Sequence, residues 1–234
     1  MSIFVEWMTI LLKWLYELSS LLGYASYGLA IIFLTIIIKT LIYPLTWKQM
    51  KSMRQTVAIQ PKIQELQKKY KNNPEKLNKE MVELYQKHNV NPMGGCLPIL
   101  VQLPIFYVLY RTLFNFSNYI GDPSQAMFLG FDITQNQNII LAILAGATTF
   151  IQVKVSTAMN PPMTQNNKKS NQPDPAQTTQ KTMLYIMPVF MAYISYTVPS
   201  GLALYFFTMN IVTILQQIYI NRKLDKEQEE VQAA

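Results

Sequence analysis

The chain has 234 residues, of which half are hydrophobic, and it carries a formal net charge of +7. The apolar residues come in long blocks, which is typical of a membrane protein and excludes an ordinary soluble domain. The single cysteine, Cys96, excludes an internal disulfide framework and a thiolate metal cluster. The composition therefore predicts one membrane domain, and no cofactor is expected.

The first predicted element is an amphipathic helix over 3–22. Its polar residues follow one another at spacings of three or four, which puts them on one narrow stripe. These residues are Glu6, Thr9, Lys13, Glu17 and Ser20. The rest of the surface is apolar and includes Trp7 and Trp14. The pattern predicts a helix lying in the extracytoplasmic membrane interface; a sixth span interrupted by charges is the alternative.

Five apolar segments follow, each close to the about 20 residues that a membrane-spanning helix needs. They lie at 28–46, 97–116, 139–156, 183–198 and 200–220. The apolar cores of the third and fourth segments are roughly 22–24 Å long, which is shorter than the about 30 Å hydrocarbon core of a bilayer. We therefore expect the bilayer to be thinned around them.

Lysine and arginine are distributed unevenly between these spans. Segment 47–96 contains ten of them, 117–138 contains none, and 157–182 and the tail after residue 220 contain three each. By the positive-inside rule, the basic segments and the C-terminus are cytoplasmic. The N-terminal helix, 117–138 and the turn at 198–201 are then outside.

Segment 57–91 predicts a cytoplasmic helical hairpin. Asn73 and Pro74 suit the N-cap and the first position of its second helix. The outer faces carry mostly Lys, Gln and Glu. They predict either a docking surface for anionic lipid or ribosomal RNA or a solvated surface with no partner. The polar segment 160–181 is predicted to be a flexible loop, and 225–234 a disordered tail.

Polar side chains interrupt the cytoplasmic halves of three spans. They are Gln102 in the second span, Thr148, Thr149 and Gln152 in the third, and Asn210, Thr213, Gln216 and Gln217 in the fifth. Amides exposed to lipid are costly, so these groups should face protein or a water-filled cavity. Hydrogen bonding between helices of a dry bundle is the alternative for each residue. Together with the short spans, they predict a hydrated cavity.

Arg54 follows the first span on a helix that continues beyond its apolar run. Counted from Gly28, it lies about 39 Å along the helix, near the inner interface. A kink at Pro44, with tilt and thinning, would draw it deeper. Its guanidinium stays charged and would attract a carboxylate in a cavity of reduced dielectric. An interfacial anchor is the alternative.

Five stretches of the chain carry a family resemblance. They are IYPLTWKQMKSM at 42–53, IQPKIQELQKKY at 59–70, NVNPMGGCLPILVQLPIFYVLY at 89–110, FIQ at 150–152 and VPSGLALYFFTMNIVTILQQ at 198–217. Together they resemble the YidC family of bacterial membrane protein insertases, in its short five-helix form. The resemblance implies an all-α membrane protein whose five core helices surround a hydrophilic groove, open to cytoplasm and lipid but closed to the outside.

The resemblance also implies roles for individual residues. The family's groove arginine lies three residues before the Gln of the QP pair, where this chain has Val57; Arg54, almost one turn earlier, is predicted to take its place. Gln152 falls on a groove-lining glutamine, and Phe206 on an aromatic position of the fifth helix. The predicted groove residues are Arg54, Gln102, Gln152, Phe206, Asn210, Thr213 and Gln217.

The implied function is insertion of nascent membrane proteins into the bacterial plasma membrane. The sequence shows no P-loop, catalytic triad or metal-ligand cluster, so we expect neither an enzyme nor a cofactor. The expected partners are nascent chains and lipid, with the ribosome and the Sec translocon as candidates, and no DNA. A small-solute or anion transporter is the main alternative, although no inverted repeat is seen; an intramembrane protease and a structural assembly subunit are others.

Overall fold

The computed structural model describes residues 2–21, 23–88, 90, 97–119, 123–159 and 175–233. Almost all of these residues are helical, which confirms the predicted all-α class. In chain order, the elements are α1 (Ser2–Leu21), α2 (Tyr27–Lys69), α3 (Pro74–Lys87), α4 (Leu97–Phe114), α5 (Phe116–Tyr119), a 3-10 turn (Pro123–Ala126), the strands β1 (Met127–Phe128) and β2 (Phe131–Asp132), α6 (Ile139–Met159), α7 (Pro175–Thr197) and α8 (Ser200–Ala233). Cys96 lies outside the described residues.

The longest helix, α2, is continuous over 43 residues. It is about 64 Å long at 1.5 Å per residue, about twice the thickness of a hydrocarbon core. Ser26 caps its first turn by accepting a hydrogen bond from the Gly28 N–H at 3.1 Å. Pro44 and Pro61 lie inside the helix without ending it. The predicted span 28–46 and the first arm of the predicted helical hairpin over 57–91 therefore belong to one helix.

The helix α3 folds back on the last turns of α2. The Asn73 side chain accepts a hydrogen bond from the N–H three residues later at 3.1 Å, and Pro74 is the first helical residue, which confirms the predicted start. Ile59 and Ile63 of α2 are buried with Val90 against the apolar side of α3. This small core is separate from the main core of the bundle, so the two arms form a packing unit of their own.

Two segments that were predicted to be irregular are helical in part. The prediction of a loop over 160–181 is wrong from Pro175 on, because α7 begins there. The fixed φ of proline suits the first turn of a helix. Residues 160–174 lie outside the described residues. The prediction of a disordered tail over 225–234 is wrong as far as Ala233, because α8 continues to that residue. Its Glu, Gln and Lys residues are good helix formers, and it contains no Gly or Pro.

The N-terminal helix α1 has three faces rather than two. Exposed charged residues occupy one face, exposed large apolar residues including Trp7 and Trp14 occupy a second, and the third packs against α2 and α4. Thr9 was predicted on the exposed polar stripe, but it is buried and donates to the Val5 carbonyl at 2.8 Å. A helix with three such faces can contact water, lipid and the bundle at once.

The segment between α4 and α6 closes one end of the bundle, which we call the hairpin end. Its strands form a two-stranded antiparallel hairpin. The residues after it are bonded to the start of α8: the Gly201 N–H donates to the Ile133 carbonyl at 2.8 Å, and the Ser200 hydroxyl donates to the Gln135 carbonyl at 2.6 Å. The main hydrophobic core lies beneath, with Ile133 and Leu202 fully buried. We call the opposite end, where α2 and α8 run on, the extension end.

Large apolar side chains cover the outside of the bundle. Within the described ranges, α2, α6 and α8 are long and apolar enough to cross a membrane, and α4 and α7 contain shorter apolar segments. On α7, Tyr185, Val189 and Tyr193 are each more than 60% exposed. Soluble monomers rarely expose so much continuous apolar surface. The bundle is therefore that of a multi-pass membrane protein.

Gly28, in the first turn of α2, lies directly beneath the hairpin. A Cβ atom added there would be 2.1 Å from Phe128 Cγ, so Gly28→Ala should displace the hairpin and lower the free energy of unfolding by about 1–3 kcal/mol. Phe128→Ala removes the obstacle, so adding Gly28→Ala to that variant should cause little further loss. Thermal unfolding of the wild type, both single variants and the double variant measures this coupling. Strictly additive losses would contradict the packing.

Candidate functional site

In the middle of the bundle, a buried amide joins α8 to α6. Asn210 is 2% exposed, and its Nδ2 donates to Thr149 Oγ1 at 2.8 Å and to Thr148 Oγ1 at 3.2 Å. The two threonine hydroxyls in turn donate to carbonyls of their own helix. Such hydrogen bonds satisfy polar groups inside a dry bundle. We call this contact the Asn210 junction; here the polar side chain serves helix packing.

At the extension end, Arg54 of α2 is held by the last turns of α8. Its Nε donates to Asn221 Oδ1 at 3.1 Å, and its Nη2 donates to the Oδ1 and the backbone carbonyl of Asn221 at 2.8 and 3.0 Å. Nη2 also lies 2.7 Å from Asp225 Oδ1. Asn221 Nδ2 is 2.6 Å from the sulfur of Met159, the last residue of α6. This Arg54 junction therefore connects three helices.

The Arg54 side chain points into the bundle. It is 16% exposed, whereas its ionic partner Asp225 is 60% exposed. The guanidinium is thus an inward-facing cation whose charge is balanced by a carboxylate that remains accessible from outside. An arginine that served only as an interfacial anchor would extend toward lipid headgroups instead.

Between the two junctions, α6 and α8 present further polar side chains to each other. One row on α8 has spacings of three, four and four, which is one face of a helix. It consists of Asn210, Thr213, Gln217 and Asn221. Gln152 of α6 lies between Thr149 and Met159, the two residues through which α6 contacts α8 at the junctions. The half-buried Gln152, Thr213 and Gln217 therefore lie along the same stretch of the α6–α8 contact.

Three glutamine side chains of α2 and α8 have buried polar atoms with no hydrogen-bond partner among the described residues. These atoms are Gln49 Nε2, Gln216 Oε1 and Gln217 Oε1. Gln216 Nε2 donates to the Lys39 carbonyl at 3.0 Å. The neighbouring Thr40 carbonyl has no helical donor, because its partner four residues later is Pro44, which lacks a backbone N–H. Buried polar groups in proteins are normally bonded to protein or to ordered water. The extension half of the α2–α8 contact therefore suits water or a polar peptide.

The helix α4 covers α8 over only part of its length. Gln102 Nε2 donates to the Tyr205 hydroxyl, and Phe106 stacks on Phe206 with ring centroids 5.7 Å apart. From this contact, α4 extends only about 7.5 Å toward the extension end, whereas α8 continues for about 24 Å to the Arg54 junction. Among the described residues, the part of the polar row nearest the extension end has no cover from α4. We therefore expect a lateral opening toward lipid beside α4.

The structure divides the seven predicted groove residues into three groups. Arg54, Gln152, Thr213 and Gln217 lie in the extension half, along the seams of α8 with α2 and α6. Asn210 lies at the far end of this stretch, where its hydrogen bonds join α8 to α6. Gln102 and Phe206 lie at the contact between α4 and α8. The cluster offers a guanidinium, amides and hydroxyls, so it can bind carboxylates and peptide groups reversibly. No cluster of His, Cys, Asp or Glu able to hold a metal ion occurs in the described part of the chain.

Three residues of this cluster were not predicted as part of the site. Asn221 continues the row of Thr213 and Gln217 by four residues, so its spacing was a usable signal, but the predicted span ended at residue 220. Asp225 was assigned to the disordered tail. Gln49 lies among basic residues after the first span, where no apolar periodicity marks the inward face of α2.

The matching family model is described as 60Kd inner membrane protein, and it covers residues 17–228. Among curated relatives, the membrane protein insertase YidC of Wolinella succinogenes is 36% identical over 225 residues, which is 96% of this chain and 38% of the relative. The YidC of Geobacter sulfurreducens is 39% identical over 85% of this chain and 34% of its own length. The YidC of Oceanobacillus iheyensis is 39% identical over 85% of this chain and 76% of its own length.

A solved structure described as an active YidC insertase with the first transmembrane domain resolved is also similar. Its TM-score to this chain is 0.65, with 27% sequence identity, and the match covers 92% of this chain and 45% of the other. The chain thus spans less than two fifths of the length of the first two relatives.

Water in the extension half can be tested with single cysteines in a Cys96→Ser background. We expect Thr213→Cys and Gln217→Cys to react with a water-soluble maleimide in membrane vesicles, because a thiol must meet water to ionise and react. Leu215→Cys on the same helix is the matched control, since Leu215 is 61% exposed on the apolar surface, and it should react at least about tenfold more slowly. Equal labelling at all three positions, or none at 213 and 217, would contradict a hydrated groove.

Proposed function

Since the chain belongs to the YidC family of the 60Kd inner membrane protein, we propose that it inserts nascent membrane proteins into the bacterial inner membrane without hydrolysing nucleotide. The observation that carries the proposal is the row of polar groups between the Asn210 and Arg54 junctions, with buried amide atoms that no described residue satisfies. A small-solute or anion transporter is not favoured, because the relatives are named insertases.

We assign the five membrane spans to α2, α4, α6, α7 and α8. Three of these helices are long and apolar enough to cross a bilayer, and the other two are short, which local thinning can accommodate. The positive-inside rule supports a cytoplasmic extension end, since α2 and α8 carry their Lys and Arg residues there, except for Lys39 within the first span. In this orientation, α1 and the hairpin are outside and the groove is open to the cytoplasm.

The groove lowers the barrier to moving a hydrophilic segment into the bilayer. A charge at the bilayer centre costs about 2.5–3.5 kcal/mol on insertion scales. A wet stretch that reaches from the extension end to the Asn210 junction replaces part of that hydrocarbon path by water and amides. The lateral opening beside α4 lets the apolar helix of the substrate remain in lipid while its polar end occupies the groove.

Arg54 receives acidic substrate residues by exchange. Its guanidinium is already paired with Asp225, so an incoming carboxylate replaces one ionic partner by another instead of finding a free cation. Because the Asp225 side chain is 60% exposed, solvent screens the resident pair and limits its strength to about 0.2–1 kcal/mol. Binding therefore stays weak, as it must if the substrate is to leave.

Release into the bilayer is driven by the substrate. Burial of its apolar helix in lipid contributes about 25 cal/mol per Å² of apolar surface. For an acidic tail that moves outward, the membrane potential adds about 2.3 kcal/mol per charge per 100 mV. The unit formed by α3 and the end of α2, which has seven lysines and four glutamates over residues 57–91, guides the chain to the groove and is the surface for the ribosome and the Sec translocon.

Reconstitution tests the function directly. Proteoliposomes that contain only this protein should integrate a single-span substrate with a short acidic tail, without added nucleotide. The same vesicles should show no uptake of small anions in the absence of nascent chain. Uptake without insertion would establish the transporter instead.

The contribution of Arg54 is expected to depend on the charge of the substrate tail. Arg54→Ala should reduce insertion of an acidic tail about two- to fivefold, the range that corresponds to an ion pair of this limited strength, and it should reduce insertion of a neutral tail much less. Arg54→Lys keeps the charge but not the forked hydrogen bonding, so the preference for acidic tails should persist. Asn221→Ala is the control that breaks the junction and leaves the cation. If it abolishes the preference as completely as Arg54→Ala, junction structure rather than charge is responsible.

Asp225 is expected to compete with the substrate. Asp225→Asn keeps the shape of the side chain and removes its charge, so insertion of acidic tails should rise about two- to fivefold, the range that corresponds to the strength of an exposed ion pair. Glu227→Gln makes the same charge change two residues later, on an exposed position of the same helix, and should have no effect. Initial insertion rates of the two variants provide the comparison, and equal rates would exclude competition.

A further inference from the structure

The hairpin between α4 and α6 contains a strained apolar residue at its tip. Leu129 and Gly130 connect the two strands, and both have positive φ, +47° and +84°. Two-residue turns of this kind strongly prefer Asn-Gly or Asp-Gly, because a leucine in the left-handed region is unfavourable. Leu129 is nevertheless 73% exposed. The strain therefore serves neither the turn nor the packing of the core, and strain of this type points to a function.

A cavity of about 340 Å³ lies beside this hairpin. Its walls are the hairpin residues 128–131, Asn138, one side of α6 with Ile140 and Leu144, and α8 with Leu204 and Phe207. The Asn138 side-chain oxygen already accepts the Leu141 N–H at 3.1 Å, as the cap of α6. The walls are otherwise apolar, which favours an apolar ligand.

The position of the cavity identifies the kind of ligand. Ile139, Ile140 and Ile143 at the start of α6 are between 58 and 67% exposed and form apolar outer surface. The cavity is thus continuous with the surface that faces lipid, and it lies at the opposite end from the groove. The cavity opens to this surface, so part of a hydrocarbon chain can enter it from the adjoining lipid while the rest of that chain stays in the bilayer.

We propose that this cavity binds one acyl chain of a phospholipid from the leaflet at the hairpin end, with Leu129 covering it. In the orientation assigned above, this is the outer leaflet, but the site itself does not depend on insertase activity. The exposed leucine then contacts hydrocarbon, which offsets the strain at its backbone. The bound chain also supports the hairpin, which closes this end of the bundle.

A fluorescent reporter inside the cavity tests the proposal. Trp7, Trp14 and Trp47 are replaced by Phe, Phe207→Trp is introduced, and the protein is placed in vesicles of phosphatidylethanolamine and phosphatidylglycerol with brominated acyl chains. We expect quenching of about half of the emission, since bromine must approach the indole closely. Leu144→Phe fills the cavity and should remove most of that quenching. Ile143→Phe, the same kind of change on the neighbouring residue outside the cavity, should leave it intact.

The cover is tested in the same reporter protein. Leu129→Asn should relieve the turn, so the unfolding temperature should stay equal or rise while quenching falls. Met127→Asn removes another exposed apolar residue of the hairpin, one that does not line the cavity, and it should keep the quenching. No quenching of the reporter, or equal quenching in the Leu144→Phe and Ile143→Phe proteins, would overturn the proposal. Unchanged quenching of the emission in the Leu129→Asn protein would overturn the role of Leu129 as the cover of the cavity.

Discussion

A polar group surrounded by hydrocarbon must find a hydrogen-bond partner, and this constraint divides α8 into two halves. At Asn210, threonines of α6 supply the partners, and the bundle is closed at that level. Beyond it, oxygen atoms of Gln216 and Gln217 are buried without a bond from any described residue. Because an unsatisfied buried group costs about 1–3 kcal/mol, water bonded to these atoms would stabilise the fold. Under the proposed function, hydration of this half therefore serves the structure as well as the substrate.

The two ends of the bundle differ because their helices are connected differently. At the hairpin end, Tyr27 stacks on Tyr16 with centroids 4.2 Å apart and meets Phe116 edge-on, so α1, α2 and α5 form one aromatic contact. The backbone bonds between Ile133 and Gly201 attach the loop to α8. At the extension end, the described contacts between α2 and α8 include polar ones such as the Arg54 junction. Under the proposed function, aromatic packing at the hairpin end and polar groups at the extension end let the bundle admit a peptide without opening a path for ions.

The helices inside the bilayer could be predicted from sequence because hydrocarbon leaves the chain few choices. Long apolar runs must be helical there, and each of the five predicted apolar segments lies along one helix of the structure to within two residues. Helix ends in water carry no such signal, so the continuation of α8 and the start of α7 were missed, and Asp225 with them. The hairpin was also missed, because Leu129 occupies a turn position where Asn or Asp would have marked it. The hydrogen-bond partners of polar side chains, such as Thr149 for Asn210, depend on how the helices are rotated relative to one another. The sequence pattern of a single helix does not contain that rotation.

The location of the positive charge depends on its partner more than on its place in the sequence. Positions 54 and 57 of α2 differ by about 4.5 Å along the axis and by about 60° around it, a displacement that a long arginine side chain can span. Asn221 holds the guanidinium through both Nε and Nη2, so α8 determines where the charge lies. An arginine near hydrocarbon is tolerated when it is paired and hydrogen-bonded, and Asp225 completes that pairing. Under the proposed mechanism, a substrate carboxylate takes the place of Asp225 and the charge balance is unchanged. Exchange in either direction then needs little free energy, which allows a site with a permanent cation to release what it binds.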